Sequence, residues 1–268
     1  ATDLFSDWAC DYLREQNADK PFFLYLAYNA PHTPIQPPEE WVDRVTQREP
    51  GIDPERAKLA ALIEHMDHGI GQVLKTLRET GLDSNTLVIF SSDNGGLLRV
   101  GADNGPLRDG KGTLYEGGIR VPTAAKWPGR IDAGTQSDRV ALTMDLMPTM
   151  LDAAGVQFEH DIDGRSFLPT LCGKHQREWK RDLFFIRREG GSFFNGGTIE
   201  AIRRGDWKLL RAKPEGPLEL YNLEKDPKET TDLSSIEKSK FEELRKALVA
   251  HQERYEDVPW QPPERWKE

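Results

Sequence analysis

Near the start of the chain, apolar positions recur at helical spacing: Phe5, Trp8, Ala9, Tyr12 and Leu13, with Arg14 and Glu15 beyond them. That period predicts an amphipathic helix, capped by Thr2 or Asp3 and ended by the Asn17–Lys20 stretch. The pattern then changes to Pro21-Phe22-Phe23-Leu24-Tyr25-Leu26-Ala27-Tyr28, an unbroken apolar run. A run apolar on both faces predicts an interior strand covered by helices. Residues 35–53 are rich in Pro and charge and read as a surface excursion. Asp53-Pro54-Glu55 supplies an N-cap, a first-turn proline and a first-turn acid. The helix it opens carries Leu59, Leu62, Ile63, Met66, Ile70, Val73, Leu74 and Leu77 on one stripe, and Gly81 ends it. Asp67, beside that stripe, reads as a partly buried, hydrogen-bonded structural carboxylate. His65 and His68 read as packed or solvated rather than as metal ligands.

The stretch Thr86-Leu87-Val88-Ile89-Phe90-Ser91-Ser92-Asp93-Asn94-Gly95-Gly96 is a short apolar run that ends in a carboxylate, an amide and two glycines. It reads as a buried strand delivering Asp93 and Asn94 to a tight loop. Ligands of open α/β sheets bind at the carboxyl ends of strands. A carboxylate beside an amide oxygen suits a hard cation such as Ca²⁺ or Mg²⁺, and an Asx-type turn is the ordinary alternative. The 21–28 run ends in Asn29-Ala30-Pro31-His32-Thr33-Pro34, whose prolines stiffen a loop carrying His32. From Gly101 to Gly118 runs a glycine-rich loop in which Lys111 lies between Gly110 and Gly112. Glycines there let the backbone approach an anion, and Lys111 can point a charge at it. The spacing is not that of a P-loop.

Ile119–Trp127 reads as a strand interrupted by Pro122, near a sheet edge. Asp145 to Gly155 reads as a short helix with an early proline, and residues 156–180 as loop. From Arg181 the pattern shifts to short strand candidates, Leu183–Arg187, Thr198–Arg203, Trp207–Leu210 and Leu218–Tyr221, which fit a small antiparallel sheet. Ser234 with Glu237 makes a capping-box pattern before a helix carrying Ile236, Phe241, Leu244, Leu248 and Tyr255. Residues 257–268 read as a polar surface tail. The expected organisation is an α/β unit over residues 1–180 and a small α+β unit over 181–268.

Composition narrows the function. A formal net charge of −9 over 268 residues argues against a nucleic-acid partner. No apolar run is long enough to span a bilayer, and no signal peptide is visible. The two cysteines, Cys10 and Cys172, form neither a disulfide framework nor a zinc site by spacing. Cys10 falls in the first helical pattern and reads as a core thiol.

Taken in order, these pieces resemble the type I sulfatases of the alkaline-phosphatase superfamily. The matching motifs are Pro21-Phe22-Phe23-Leu24-Tyr25 with Ala30-Pro31-His32, Ser92-Asp93-Asn94-Gly95-Gly96, and Lys111-Gly112 with Glu116-Gly117-Gly118-Ile119-Arg120-Val121-Pro122. Asp145 with Pro148-Thr149, Asp163-Gly164 and Glu219-Leu220-Tyr221-Asn222-Leu223 with Asp226-Pro227 look like its later landmarks. The resemblance implies an alkaline-phosphatase-like α/β sheet flanked by helices, incomplete at the N-terminus, plus a small antiparallel α+β subdomain. It implies hydrolysis of sulfate esters, possible substrates being sulfated glycans, with a formylglycine nucleophile and Ca²⁺, Mg²⁺ being the less expected ion. Asp93 and Asn94 match two metal ligands, Lys111 a lysine on the sulfate and leaving oxygen, and His32 a histidine near that oxygen. A periplasmic or secreted location is also implied.

The nucleophile motif of that family has a small residue two positions after Cys or Ser and Arg four positions after it. Cys10-Asp11-Tyr12-Leu13-Arg14 has Tyr in the small position, Cys172-Gly173-Lys174-His175-Gln176 lacks the Arg, and no serine fits. The family's early Asp pair and Gly-Lys-Trp-His segment are also absent. The expectation is therefore the later part of a sulfatase, inactive alone, unstable or sticky alone, and completed by an N-terminal half. Two alternatives are a related phosphonate or phosphodiester hydrolase and a non-catalytic protein that binds sulfated ligands.

Overall fold

The computed structural model describes residues 1–189, 194 and 196–254. These fall into two compact units: residues 1–93, 99–102 and 122–178, and residues 94–98, 103–121 and 179 onward.

In the first unit, helix α1 (Thr2–Glu15) buries Ala9, Cys10 and Leu13. Ala1, not Thr2 or Asp3, holds its N-cap position. Thr2 is drawn into the helix, where its carbonyl accepts from Ser6 Oγ at 3.0 Å. Asp3 turns its carboxylate to His65 instead. The 35–53 excursion contains a helix, α2 (Glu39–Arg48), that buries Trp41 and Val45. Helix α3 (Pro54–Glu79) begins where the sequence places it: Asp53 Oδ1 accepts from the amides of Glu55 and Arg56, each at 3.0 Å. Gly81, at φ +73°, turns the chain out of it. Leu13, Leu77 and Leu82 pack together, with Phe22, Val73 and Val88 against them. Burying each such leucine contributes about 1.5–3 kcal/mol. Asp67 is exposed, not partly buried; the polar side chains that α3 takes inside are His65 and Thr76.

Residues 21–28 are extended, with Phe22, Leu24, Leu26 and Tyr28 partly covered and Phe23, Tyr25 and Ala27 exposed. The run takes part in no sheet among the described residues. The interior strand expected there is therefore a single extended segment, since apolar composition gives a strand's shape but only ladder hydrogen bonds give a sheet. Strand β1 (Val88–Ser91) pairs antiparallel with β2 (Thr123–Lys126), Val88 opposite Lys126 and Ser91 opposite Thr123. β2 starts only after Pro122; Ile119 instead closes a single helical turn, α4 (Glu116–Ile119), of the second unit. Asp145 is fully buried and stitches the chain before helix α5 (Leu146–Ala153). Its carboxylate accepts from Leu142 N–H at 2.7 Å and Arg165 N–H at 2.8 Å. A short turn, α6 (Leu168–Leu171), follows.

The second unit is built on an antiparallel sheet, β3 (Leu183–Arg188), β4 (Thr198–Arg204), β5 (Trp207–Arg211) and β6 (Leu218–Asn222), in that order. Alternation along the strands gives the sheet two apolar faces. Ile202, Leu209 and Leu220 face Leu244 and Leu248 of helix α7 (Lys238–Glu253). Ile199, Ala201, Leu210 and Tyr221 face Leu114 and Tyr115 of the glycine-rich loop. No side chain caps α7: Ser234 Oγ donates instead to Asp232 Oδ2 at 2.9 Å, and Ile236 is exposed. Tyr255 and the 257–268 tail lie outside the described residues.

Candidate active site

The first unit holds two of the four sequence-predicted residues. His32 sits exposed in the loop after the extended run, its amide donating to Asn29 O at 2.8 Å. Its Nδ1 lies 2.7 Å from Thr33 O. A carbonyl only accepts, so Nδ1 carries the proton and Nε2 is the atom that can exchange one. Asp93 lies two residues beyond the end of β1, with its carboxylate at the surface.

The other two residues belong to the second unit, which brings their loops together. Asn94 is half-buried. Gly95 N–H donates to Gly118 O at 2.9 Å, and Lys111 N–H to Gly96 O at 3.0 Å. Asn104 clamps the same place, its Oδ1 accepting from Gly96 N–H at 2.8 Å and its Nδ2 donating to Gly96 O and Asp109 O. The approach demands glycine: a Cβ on Gly95 would stand 1.7 Å from Gly117 O. Lys111 is half-buried, and among the described residues no hydrogen bond or ion pair holds its ammonium.

Behind Lys111 the loop is tied to the sheet by residues to which the sequence analysis assigned no role. Arg108 Nη1 donates to Tyr221 OH at 3.0 Å and to the Glu229 carbonyl at 2.6 Å, and its guanidinium lies over the Tyr115 ring at 3.9 Å. Glu219 Oε2 accepts from Tyr115 OH at 2.6 Å and Tyr221 OH at 2.7 Å. Burial and then the bond to Glu219 push both phenols well above the ordinary tyrosine value. At the far end of the loop, Lys208 Nζ stands 3.0 Å from Glu116 Oε1 and 2.9 Å from Glu229 Oε1, all three residues being buried. Glu229 Oε2 accepts from Glu116 N–H at 2.7 Å. Burial pushes the Glu229 carboxyl up, against the pull of Lys208 and that amide. A lysine inside the apolar run Trp207-Lys208-Leu209-Leu210 is a signal of this cluster that the sequence carries.

Asp93 and Asn94 offer a carboxylate and an amide oxygen, the donor chemistry that a hard cation takes. Calcium takes roughly six to eight oxygens, so these two would fill part of a shell. Cys10 is buried in α1, which does not suit a side chain that must meet a substrate.

A chain that presents a lysine from a glycine loop hydrogen-bonded to the Asn94 loop, and that carries a carboxylate just after a strand end, has the makings of an anion-handling hydrolase. Residues 1–156 match the sulfatase family model, and residues 109–257 match that of the C-terminal region of N-sulphoglucosamine sulphohydrolase. The chain belongs to the sulfatase family. It is 35% identical over 214 residues to the N-acetylgalactosamine-6-sulfatase of Rattus norvegicus, a match covering 77% of this chain and 37% of that protein. A sulfatase of Formosa agariphila is 33% identical over 259 residues, covering 87% of this chain and 45% of that one. The crystal structure of Ps i-CgsB in complex with k-i-k-neocarrahexaose superposes with a TM-score of 0.83 at 33% identity, covering 98% of this chain and 56% of that one. The expected alkaline-phosphatase-like α/β class is borne out by this likeness. The chain thus spans between 37% and 56% of the length of these three relatives.

Proposed function

We propose that this chain is the later part of a sulfuric ester hydrolase and supplies one side of its active site. The observation that carries the reading is Lys111, set on a glycine loop zipped to the Asn94 loop, in a chain whose family is sulfatase. Lys111 places a positive charge on the sulfate oxygens and on the oxygen that leaves, where negative charge grows in the transition state. His32 keeps its Nδ1 proton on Thr33 O, so in its imidazolium form Nε2–H is the proton it passes to the leaving oxygen, the ring being left neutral. Asp93 and Asn94 are two ligands of a calcium ion, which supplies neutralisation of the sulfate charge when bound. Neither cysteine suits the formylglycine precursor, so the nucleophile is expected from residues outside this sequence, and the chain alone is expected to be inactive.

A sulfated carbohydrate is the proposed substrate class, supported by the sugar in the rat relative's name and the oligosaccharide bound in the solved relative. Residues 1–180 are read as catalytic-domain sequence and 181–268 as a small subdomain. Among the described residues no helix is long and apolar enough to cross a membrane, and an exported enzyme is the reading proposed here.

The test is sulfate release from an aryl sulfate by the full-length protein with calcium. Turnover that is abolished by chelation and falls by about 100-fold or more in Lys111→Ala is expected, the size of losing one transition-state donor. A full-length protein that cleaves phosphonate esters but no sulfate ester would overturn the reading.

A further inference from the structure

Glu229 lies far from Lys111 in sequence, yet it touches both ends of the segment that carries it. Its backbone carbonyl accepts from Arg108 Nη1 at 2.6 Å, three residues before Lys111. Its carboxylate accepts from Glu116 N–H at 2.7 Å, five residues after Lys111. Between these anchors, Gly117 N–H donates to Arg108 O at 2.9 Å, closing the segment into a loop. Lys208, 0% exposed, stands between the carboxylates of Glu229 and Glu116 and lets two buried acids lie together.

The backbone of Glu229 adds a separate observation. Its φ is +52°, the left-handed region where glycine is at ease and a glutamate is not. Asp226 builds the turn that holds it there, its Oδ2 accepting from the amides of Thr230 and Thr231 at 2.8 and 2.9 Å. Glu229 N–H donates to Asp226 O at 3.1 Å. A glutamate held in that conformation with a 0% exposed carboxylate points to a task for its side chain. What that side chain reaches is the Lys111 loop.

We propose that Glu229 is a positioning residue for Lys111: it fixes both ends of the 108–116 loop and thereby holds the ammonium where the sulfate is to sit. The proposal rests on the sulfatase reading of Lys111. It differs from a stabilising role in that the loss of Glu229 acts through Lys111. An ammonium displaced by about an ångström costs on the order of 100-fold in rate with the substrate's other contacts intact.

The test uses the full-length protein and the Glu229→Gln variant, with Arg108→Lys as a second variant that loosens the other anchor while keeping its charge. Amide hydrogen exchange is expected to quicken about tenfold or more in peptides covering residues 104–118, and to change far less in peptides covering β3 and α7, which carry no member of the Glu229 cluster. With an aryl sulfate, kcat is expected to fall by roughly 10- to 100-fold while KM stays within about threefold. Combining Glu229→Gln with Lys111→Ala should cost no more than Lys111→Ala alone. Multiplicative losses in that double variant, or unchanged exchange over 104–118 in both anchor variants, would overturn the proposal. Wild-type protein without sulfatase activity would overturn the function proposed for Lys111, while the exchange measurement would still decide whether Glu229 orders its loop.

Discussion

Lys208 and Glu229 form an ion pair from which solvent is wholly excluded, Nζ 2.9 Å from Oε1. Glu116 shares the same ammonium at 3.0 Å, so one buried lysine serves two buried carboxylates. Removing one partner of such a cluster leaves charge buried without compensation. Lys208→Met is therefore expected to lower the unfolding free energy by about 3–5 kcal/mol, read from urea denaturation of the second unit's sheet by far-UV circular dichroism. A loss below about 1 kcal/mol, the range of an exposed pair, would mean that water reaches the site.

The phenols of Tyr115 and Tyr221 share Glu219 Oε2 and resist ionisation because of burial first and that bond second. A tyrosine raised in the folded chain holds its proton where the unfolded chain would release it. Its stabilising contribution is present in full below about pH 10 and is lost as the pH rises through the raised folded value. Tyr28, raised by burial and bonded to Ser6, behaves likewise. An ultraviolet titration should show a late phase coincident with alkaline unfolding. Tyr115→Phe with Tyr221→Phe should shrink that phase to the Tyr28 contribution; an unchanged late phase would place the slow phenols elsewhere.

Asp226 is the acid whose titration reaches the Glu229 turn. Partial desolvation pushes its carboxyl up, but hydrogen bonds from the Thr231, Thr230 and Lys228 side outweigh this and leave it below its ordinary value near 3.8. The stability it contributes is therefore present above that value and lost as the pH falls through the lower folded value. Asp226→Asn should lower Tm by a few degrees at neutral pH, and the gap to wild type should close on acidification below about pH 4. A gap independent of pH would assign the turn's stability to shape rather than to the charge.

Much of this fold is legible because local signals agree with tertiary ones. Asp53-Pro54 and Gly81 mark the ends of α3, and the period-2 runs after Arg181 become the four-stranded sheet. Helix α2 was hidden because prolines and charges surround it and only Trp41 and Val45 are driven inside. The chemistry-bearing types at Asp93, Asn94, Lys111 and His32 stand out in sequence, since loops ending apolar runs advertise them. The Glu229 cluster does not. Its contacts cross more than a hundred positions, Glu116 to Glu229, and no local pattern encodes a partner at that range. Asp67 shows the converse: a polar residue beside an apolar stripe lies in water when the helix turns it outward.

Residues 21–28 bear most directly on how the isolated chain behaves. Phe23 is 69% and Tyr25 81% exposed, side by side on one face of an extended segment that belongs to no sheet among the described residues. Backbone groups without ladder partners next to exposed aromatic rings are a template for edge pairing between copies. The opposite face is anchored, since Phe22 packs against the Leu13, Leu77 and Leu82 cluster. Substitution at Phe23 and Tyr25 should therefore change surface chemistry without opening the core. Phe23→Ser with Tyr25→Ser is expected to raise the soluble concentration of the 268-residue chain severalfold and to reduce light scattering on warming, with little change in its denaturation midpoint. Phe22→Ala, a cut into the partly covered face beside them, should instead destabilise, by less than the about 3–5 kcal/mol of a fully buried phenylalanine. Equal aggregation of the double-serine variant and the parent would place the adhesive surface elsewhere. The exposed aromatics would then owe nothing of the chain's solution behaviour to their position on an unpaired run.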